Sequence, residues 1–217
     1  MNWFTLRLVG DRLAAGTSGR ALPGGANRIL YVLSGQTQLG VPGGALTLAP
    51  GSAWHGAGEV QCRAGAEGAE ILRYELVAGE APEAGGELKL SRRISLDGGP
   101  HLMRCDRVDM APGSVRQLHC HVCPGIRCLI AGAFRLRRNG SADAEERYAP
   151  GEAWFEDRED PVVALGSERE TTSFIRVLVA PRDYLGRRTS RTLGAEGREL
   201  PQPPLLGGVF LDLPIEI

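Results

Sequence analysis

Ala49-Pro50-Gly51-Ser52-Ala53-Trp54 recurs as Ala149-Pro150-Gly151-Glu152-Ala153-Trp154, at an offset of 100 residues. Further matches flank both copies in the same order. Gly16 to Gly35 aligns without a gap on Gly113 to Gly132 at offset 97, and Leu76-Val77-Ala78 falls on Leu178-Val179-Ala180 at offset 102. Such small changes of offset are small insertions, which turns absorb. The chain therefore reads as two homologous modules, residues 1–87 and 88–180, followed by an extension, 181–217, that packs on a module or on a neighbouring subunit.

Composition fits this division. The 217 residues are 42% hydrophobic and 24% charged, enough for each copy to bury a core of its own. With 25 basic and 26 acidic residues the charges balance, so the sequence offers no field suited to nucleic acid or to an anionic membrane. No apolar run approaches the roughly 18 residues of a membrane span. Arg7, Asp11 and Arg12 interrupt the N-terminal stretch before a signal-peptide core forms, so the cytoplasm is the expected compartment. The five cysteines are an odd set, and four of them (Cys105, Cys120, Cys123, Cys128) crowd into the second copy, which argues for reduced thiols rather than a disulfide framework.

The apolar stretches are short, rich in Val, Leu and Ile, and punctuated by Gly and Pro, which predicts strands throughout and no long helix. In the first copy they cover Phe4 to Leu8, Arg28 to Leu33, Ala45 to Leu48, Ser52 to His55 and Ile71 to Val77. In the second they cover Leu102 to Met110, Gln117 to Val122, Arg127 to Ile130, Ala133 to Arg137, Ala153 to Glu156 and Ser173 to Val179. Leu88 to Leu96 reads as a bridging strand. The tail is an Arg-rich piece, then Pro201-Gln202-Pro203-Pro204, then an apolar strand from Val209 that Pro214 confines to a sheet edge. That strand needs a partner in the same chain or in a neighbour, and the second arrangement would make a homodimer.

Pro112-Gly113, His119-Cys120-His121, Pro124-Gly125, Gly132 and Pro150-Gly151-Glu152 with Trp154-Phe155-Glu156 together resemble the two signature motifs of the cupin superfamily. The first copy matches the same scaffold through Arg28 to Gly35 and Pro50-Gly51. The resemblance covers most of the chain and implies a bicupin: an all-β protein of two tandem double-sheet jelly-roll barrels, the first one degenerate.

Strand alternation gives the His-x-His spacing its meaning. Residues i and i+2 share a face, so His119 and His121 can aim at one point while Cys120 faces away, and Cys123 joins the histidine face if the strand continues. The family adds a Glu and a third His to hold Fe, Mn, Zn, Ni or Cu. Here the Glu position is Gly125 and the third His falls near Val162. The resemblance supplies Glu156 in their place, giving two histidines and a carboxylate, a set suited to non-haem Fe(II), and also to Mn, Ni or Zn. Cys123 is a further candidate ligand. The pair Cys120 and Cys123 has no second C-x-x-C partner, which argues against a structural zinc cage. In the first copy Leu22 and Gly24 stand opposite the histidines and Arg28 opposite Gly125, so that module holds no such site. Arg28 reads as a solvated strand-start residue, with an inward carboxylate clamp as the alternative.

Two functions follow from the resemblance. In one, His119, His121 and Glu156 bind a divalent metal, a small carboxylate or aromatic substrate coordinates at open positions, and Glu156 or a water acts as base, with an oxygenase (a dioxygenase among them), an isomerase or a lyase as the reaction class. In the other, the second module is a non-catalytic small-ligand sensor with a degenerate site.

Overall fold

A computed structural model describes residues 2–141, 143, 145–194, 198–201 and 206–217. Residues 202–204 of the proline-rich run lie outside the described part. The first-module strands are β1 (Asn2–Leu13), β2 (Asn27–Val41), β3 (Gly44–Leu48), β4 (Ala53–Gly56), β5 (Gln61–Ala78) and β6 (Glu87–Leu96). Then come β7 (His101–Met110), β8 (Val115–His121), β9 (Gly125–Ala131), β10 (Phe134–Arg138), β11 (Glu145–Tyr148), β12 (Ala153–Glu156), β13 (Val162–Gly166) and β14 (Thr172–Pro181). A short 3-10 helix at Arg182–Tyr184 precedes β15 (Ser190–Leu193), β16 (Glu199–Leu200) and β17 (Leu206–Ile215). The chain divides into two compact units, Met1–Gly99 with Glu216–Ile217, and Pro100–Ile215.

The repeat that opens the sequence is one turn built twice. Gly51 and Gly151 have φ of 78° and 90°, a left-handed conformation that glycine adopts without a Cβ clash. Each donates its N–H to the strand that pairs with the one after the turn, Gly51 to the Val32 carbonyl of β2 and Gly151 to the Leu129 carbonyl of β9, both at 2.8 Å. Val32 and Leu129 answer through Ser52 and Glu152, at 3.0 Å each. Val32 and Leu129 are 97 residues apart, the offset of the upstream match.

In the first unit six antiparallel strands run in the order β3-β2-β5-β1-β6, with β4 on β2. The bridging segment belongs to β6, which pairs with β1. A core of Leu30, Val32, Leu39, Val60 and Ile71 closes one face, and Leu22 packs against it. The same face continues into charge. Arg7 pairs with Glu75 across β1 and β5, and Arg28 pairs with Glu75 across β2 and β5, so register alone brings three side chains together. Arg73 joins them from two residues back on β5. Glu75 accepts from Arg7 Nε at 2.7 Å and from Arg28 Nε at 2.7 Å, with Arg73 Nη1 at 3.0 Å. Arg28 is 2% exposed, which corrects the solvated reading: the carboxylate it meets comes from 47 residues away in sequence.

The second unit has two sheets, ordered β11-β10-β13-β8-β15-β16 and β12-β9-β14-β7-β17. Between them lie Val108, Leu129, Phe134, Leu136, Trp154, Val162 and Phe174, contributed by both sheets. Phe134 stacks on Trp154 at 4.4 Å between centroids. The described part of the tail as far as Ile215 belongs to this unit. β15 covers the open side of β8, and β17 adds to β7 of the same chain at the sheet edge, the place Pro214 allows.

Candidate metal centre

His119 and His121 leave β8 on its inner face, both about 95% buried or more. Their rings stand 5.4 Å apart at an interplanar angle of 78°. Glu156 arrives from β12, whose register sets it opposite Gly125 of β9. That pairing explains the missing family Glu. A Cβ on Gly125 would sit 2.4 Å from the Leu178 side chain and 2.7 Å from the Val177 carbonyl, so position 125 has no room for a side chain. The carboxylate comes from the neighbouring strand instead. Val162 faces His119 across β13 and β8, fully buried among apolar side chains, at the position where a third histidine was sought.

Ligand atoms of His119, His121 and Glu156 lie within 4.8 Å of one another, and among the described residues this is the one group of three potential ligands that converges. Cys123 is not in it. β8 ends at His121, before Cys123-Pro124, so alternation does not carry the thiol onto the histidine face. Cys123 packs with Leu102, Leu178 and Ala180, and burial pushes its thiol up to about 11, which makes it a poor thiolate. Cys120 faces the other way and meets Arg191 Nε at 3.4 Å.

Three more groups belong to this site, and two of them, Arg127 and Arg176, do not stand out in the sequence. Trp154 shares the inner face of β12 with Glu156 and donates its indole N–H to Glu156 Oε1 at 2.8 Å. Arg127, two residues from Gly125 on β9, places Nη2 at 3.1 Å from Glu156 Oε2. Arg176 of β14 forms a bidentate pair with Asp106 of β7, at 2.9 and 2.6 Å. An arginine at an inward position of a strand is the signal that finds the last two, because a buried guanidinium requires a carboxylate partner.

His121 Nε2 is 3.2 Å from Glu156 Oε2. Neither this contact nor that of Arg127 is aligned as a hydrogen bond, and Glu156 Oε2, Arg127 Nη2 and His121 Nδ1 are buried without a hydrogen-bond partner. Unmet buried groups of this kind cost free energy unless something else engages them. Two neutral imidazoles and an ionised carboxylate with an open lone pair fit a divalent cation of the Zn, Fe or Mn type. The His119 ring is set by its Nδ1, 2.9 Å from the Gln117 carbonyl, which leaves Nε2 for a ligand.

Electrostatics favour the same protonation states. Burial lowers the His119 imidazole and pushes His121 down to about 3. Burial would raise the Glu156 carboxyl, but the Arg127 charge and then His121 hold it well below the usual carboxylate range. That makes Glu156 a weak base and a good anionic ligand. A consequence concerns acid stability of the metal-free protein. Between about pH 6.5 and pH 3 the unfolded chain takes up protons that folded His121 refuses, so stability falls as pH falls through that window. Urea unfolding of chelator-treated protein at pH 7.5 and pH 5 is expected to show a clear loss at pH 5, much reduced in a His119→Gln, His121→Gln variant. Equal midpoints at the two pH values would contradict the buried neutral histidines.

The three side chains open onto a cavity of about 480 Å³. Met110, Phe134, Phe174 and Leu193 make its apolar wall, while His119, His121, Glu156, Arg127 and Arg176 make its polar floor. Arg116 lines one side.

No protein-family model and no curated protein matches the chain. Solved structures do. A two-residue deletion mutant of Bacillus subtilis oxalate decarboxylase superposes with TM-score 0.63 and 14% identity, over 87% of this chain and 71% of that one. The same enzyme at pH 4.6 gives TM-score 0.61 and 13% identity, over 83% and 71%. A structure of it used to assign its Mn(II) centres gives 0.63 and 14%, over 87% and 71%. The chain has a cupin fold. At this identity the likeness extends to architecture alone, and the chemistry has to be argued from the chain's own site. Among the described residues no helix is long and apolar enough to cross a membrane.

Proposed function

We propose that the chain is a bicupin whose second module binds a divalent metal through His119, His121 and Glu156 and acts on a small organic substrate, a carboxylate or an aromatic compound, as a dioxygenase. The observation that carries this reading is the convergence of three buried ligand side chains on the floor of a cavity large enough for such a molecule. Fe(II), Mn(II), Ni(II) and Zn(II) are the candidate ions, and the Mn(II) centres named for a similar structure support considering manganese. When bound, the ion would supply Lewis acidity and open positions for substrate and oxygen. The chain's own residues do the rest. Trp154 orients the carboxylate, Gln117 orients His119, and Met110, Phe134, Phe174 and Leu193 give the substrate an apolar wall. Arg116 gives an acidic substrate a charge to approach.

A non-catalytic ligand-binding module is the second reading, favoured by Val162 in place of a third histidine and by the guanidinium beside Glu156. Oxygen consumption separates the two. Protein reconstituted with each ion is expected to consume oxygen with at least one of a panel of catechols, diketones and keto acids, and a His121→Ala variant is expected to consume none. Ligand-dependent thermal stabilisation with neither oxygen uptake nor product from any reconstituted form would leave the binding module, whereas product without uptake would point to an isomerase or lyase.

A further inference from the structure

The floor of the cavity is electrically complete before any ion arrives. Arg176 is matched by Asp106, the two histidines are neutral, and the single remaining carboxylate, Glu156, already faces the Arg127 guanidinium at 3.1 Å. Resting on the metal reading above, we infer that Arg127 is a built-in counter-cation that competes with the divalent ion for Glu156 Oε2 and so sets how weakly this site holds its metal.

Geometry carries the inference. Trp154 occupies Glu156 Oε1, which leaves Oε2 as the oxygen facing the histidines, and Oε2 is also the oxygen nearest Arg127. An ion at bonding distance from Oε2 would stand within a few Å of a full positive charge, among residues no more than 5% exposed, where like charges repel more strongly than in bulk water. The guanidinium has no freedom to retreat. Its Nη1 donates to the Gly125 carbonyl at 2.6 Å and lies 3.3 Å from the Glu156 carbonyl, and the residue is 1% exposed. Its Nη2 is buried and without an aligned acceptor, so the contact with Glu156 is one of charge rather than a formed hydrogen bond. A residue whose task was to orient Glu156 would be expected to donate to it squarely. Gly125 makes this arrangement fit, since Arg127 Nη1 lies 3.2 Å from where a Cβ at position 125 would be.

The test is metal affinity measured by competition with a chromophoric chelator, using Zn(II) and Mn(II), on wild type, Arg127→Met, Arg127→Gln and Arg127→Lys. Arg127→Met removes the charge and keeps most of the volume, and Arg127→Gln keeps a donor for the Gly125 carbonyl should the methionine variant fail to fold. The neutral variants are expected to bind at least about tenfold more tightly than wild type, with Arg127→Lys close to wild type. Adding Glu156→Gln to a neutral variant is expected to abolish the gain. Neutral variants, folded by circular dichroism, that bind as wild type or more weakly would overturn the inference and leave the metal reading standing. Equal tightening in the lysine variant would overturn it too, because charge would not be the cause. No binding by wild type or by any variant would instead remove the metal reading itself, and binding by the neutral variants alone would show a competent ligand set masked by Arg127.

Discussion

Replacing Glu75 by alanine is expected to destabilise the first unit by about 3 to 5 kcal/mol, the cost of leaving buried charges without their partner. Three guanidinium groups depend on that carboxylate, and Arg7, Arg28 and Arg73 are 5%, 2% and 1% exposed. Arg73 would keep Asp11, at 2.7 Å, while Arg7 and Arg28 would keep only carbonyl oxygens. Burial would raise the Glu75 carboxyl, yet the charges of Arg73 and Arg28 lower it below its ordinary value, so the cluster stays ionised at neutral pH. A whole domain is stable by about 5 to 15 kcal/mol, so a loss of this size leaves little or nothing. Chemical unfolding followed by Trp3 and Trp54 fluorescence measures it. Adding Arg7→Met and Arg28→Met to the alanine variant is expected to restore part of the loss, since apolar replacement of a buried ion cluster is often tolerated. A change below about 1 kcal/mol in the single variant would mean that the arginines do not rely on Glu75.

The second large effect is on metal. A His119→Ala, His121→Ala variant is expected to lose more than about a hundredfold in affinity for Zn(II) and Mn(II), because one carboxylate is far short of the three protein ligands a metal centre needs. Folding should survive the change better than binding does. Neither ring belongs to the apolar cluster of Phe134, Trp154 and Phe174, and the truncated side chains border an existing cavity rather than close packing. Retained affinity in a folded double variant would place the ion elsewhere.

Local patterns carried the architecture. The Pro-Gly repeat marks two turns with the same hydrogen bonds, and the strand segments read from Val, Leu and Ile runs fall on the strands found, overrunning them by one residue at Ser52, Val122 and Ala133. His119 and His121 could be placed on one face because alternation needs nothing beyond the strand itself. Glu156 came from the family resemblance. What stayed hidden depends on register between distant strands. Arg28 has no visible reason to be buried until Glu75 is known to lie across from it, and Arg176 meets Asp106 from 70 residues away. Cys123 was set on the histidine face by extending β8 past its end at His121. The Arg-rich tail hid β15, a strand of four residues whose burial comes from its seat beside β8. The strand from Val162 to Gly166 is short and follows the charged run Glu156 to Asp160, so its burial too becomes visible only through its pairing with β8 and β10.

In the proposed function, two imidazoles and one carboxylate in the second unit hold a single divalent ion. Elemental analysis of protein purified without a metal-chelating resin, before and after anaerobic reconstitution with Fe(II), Mn(II), Ni(II) and Zn(II), tests it most directly. Close to one ion per chain is expected with at least one of these metals, lost on replacing His119 and His121. Chains that remain free of metal after every reconstitution would contradict it.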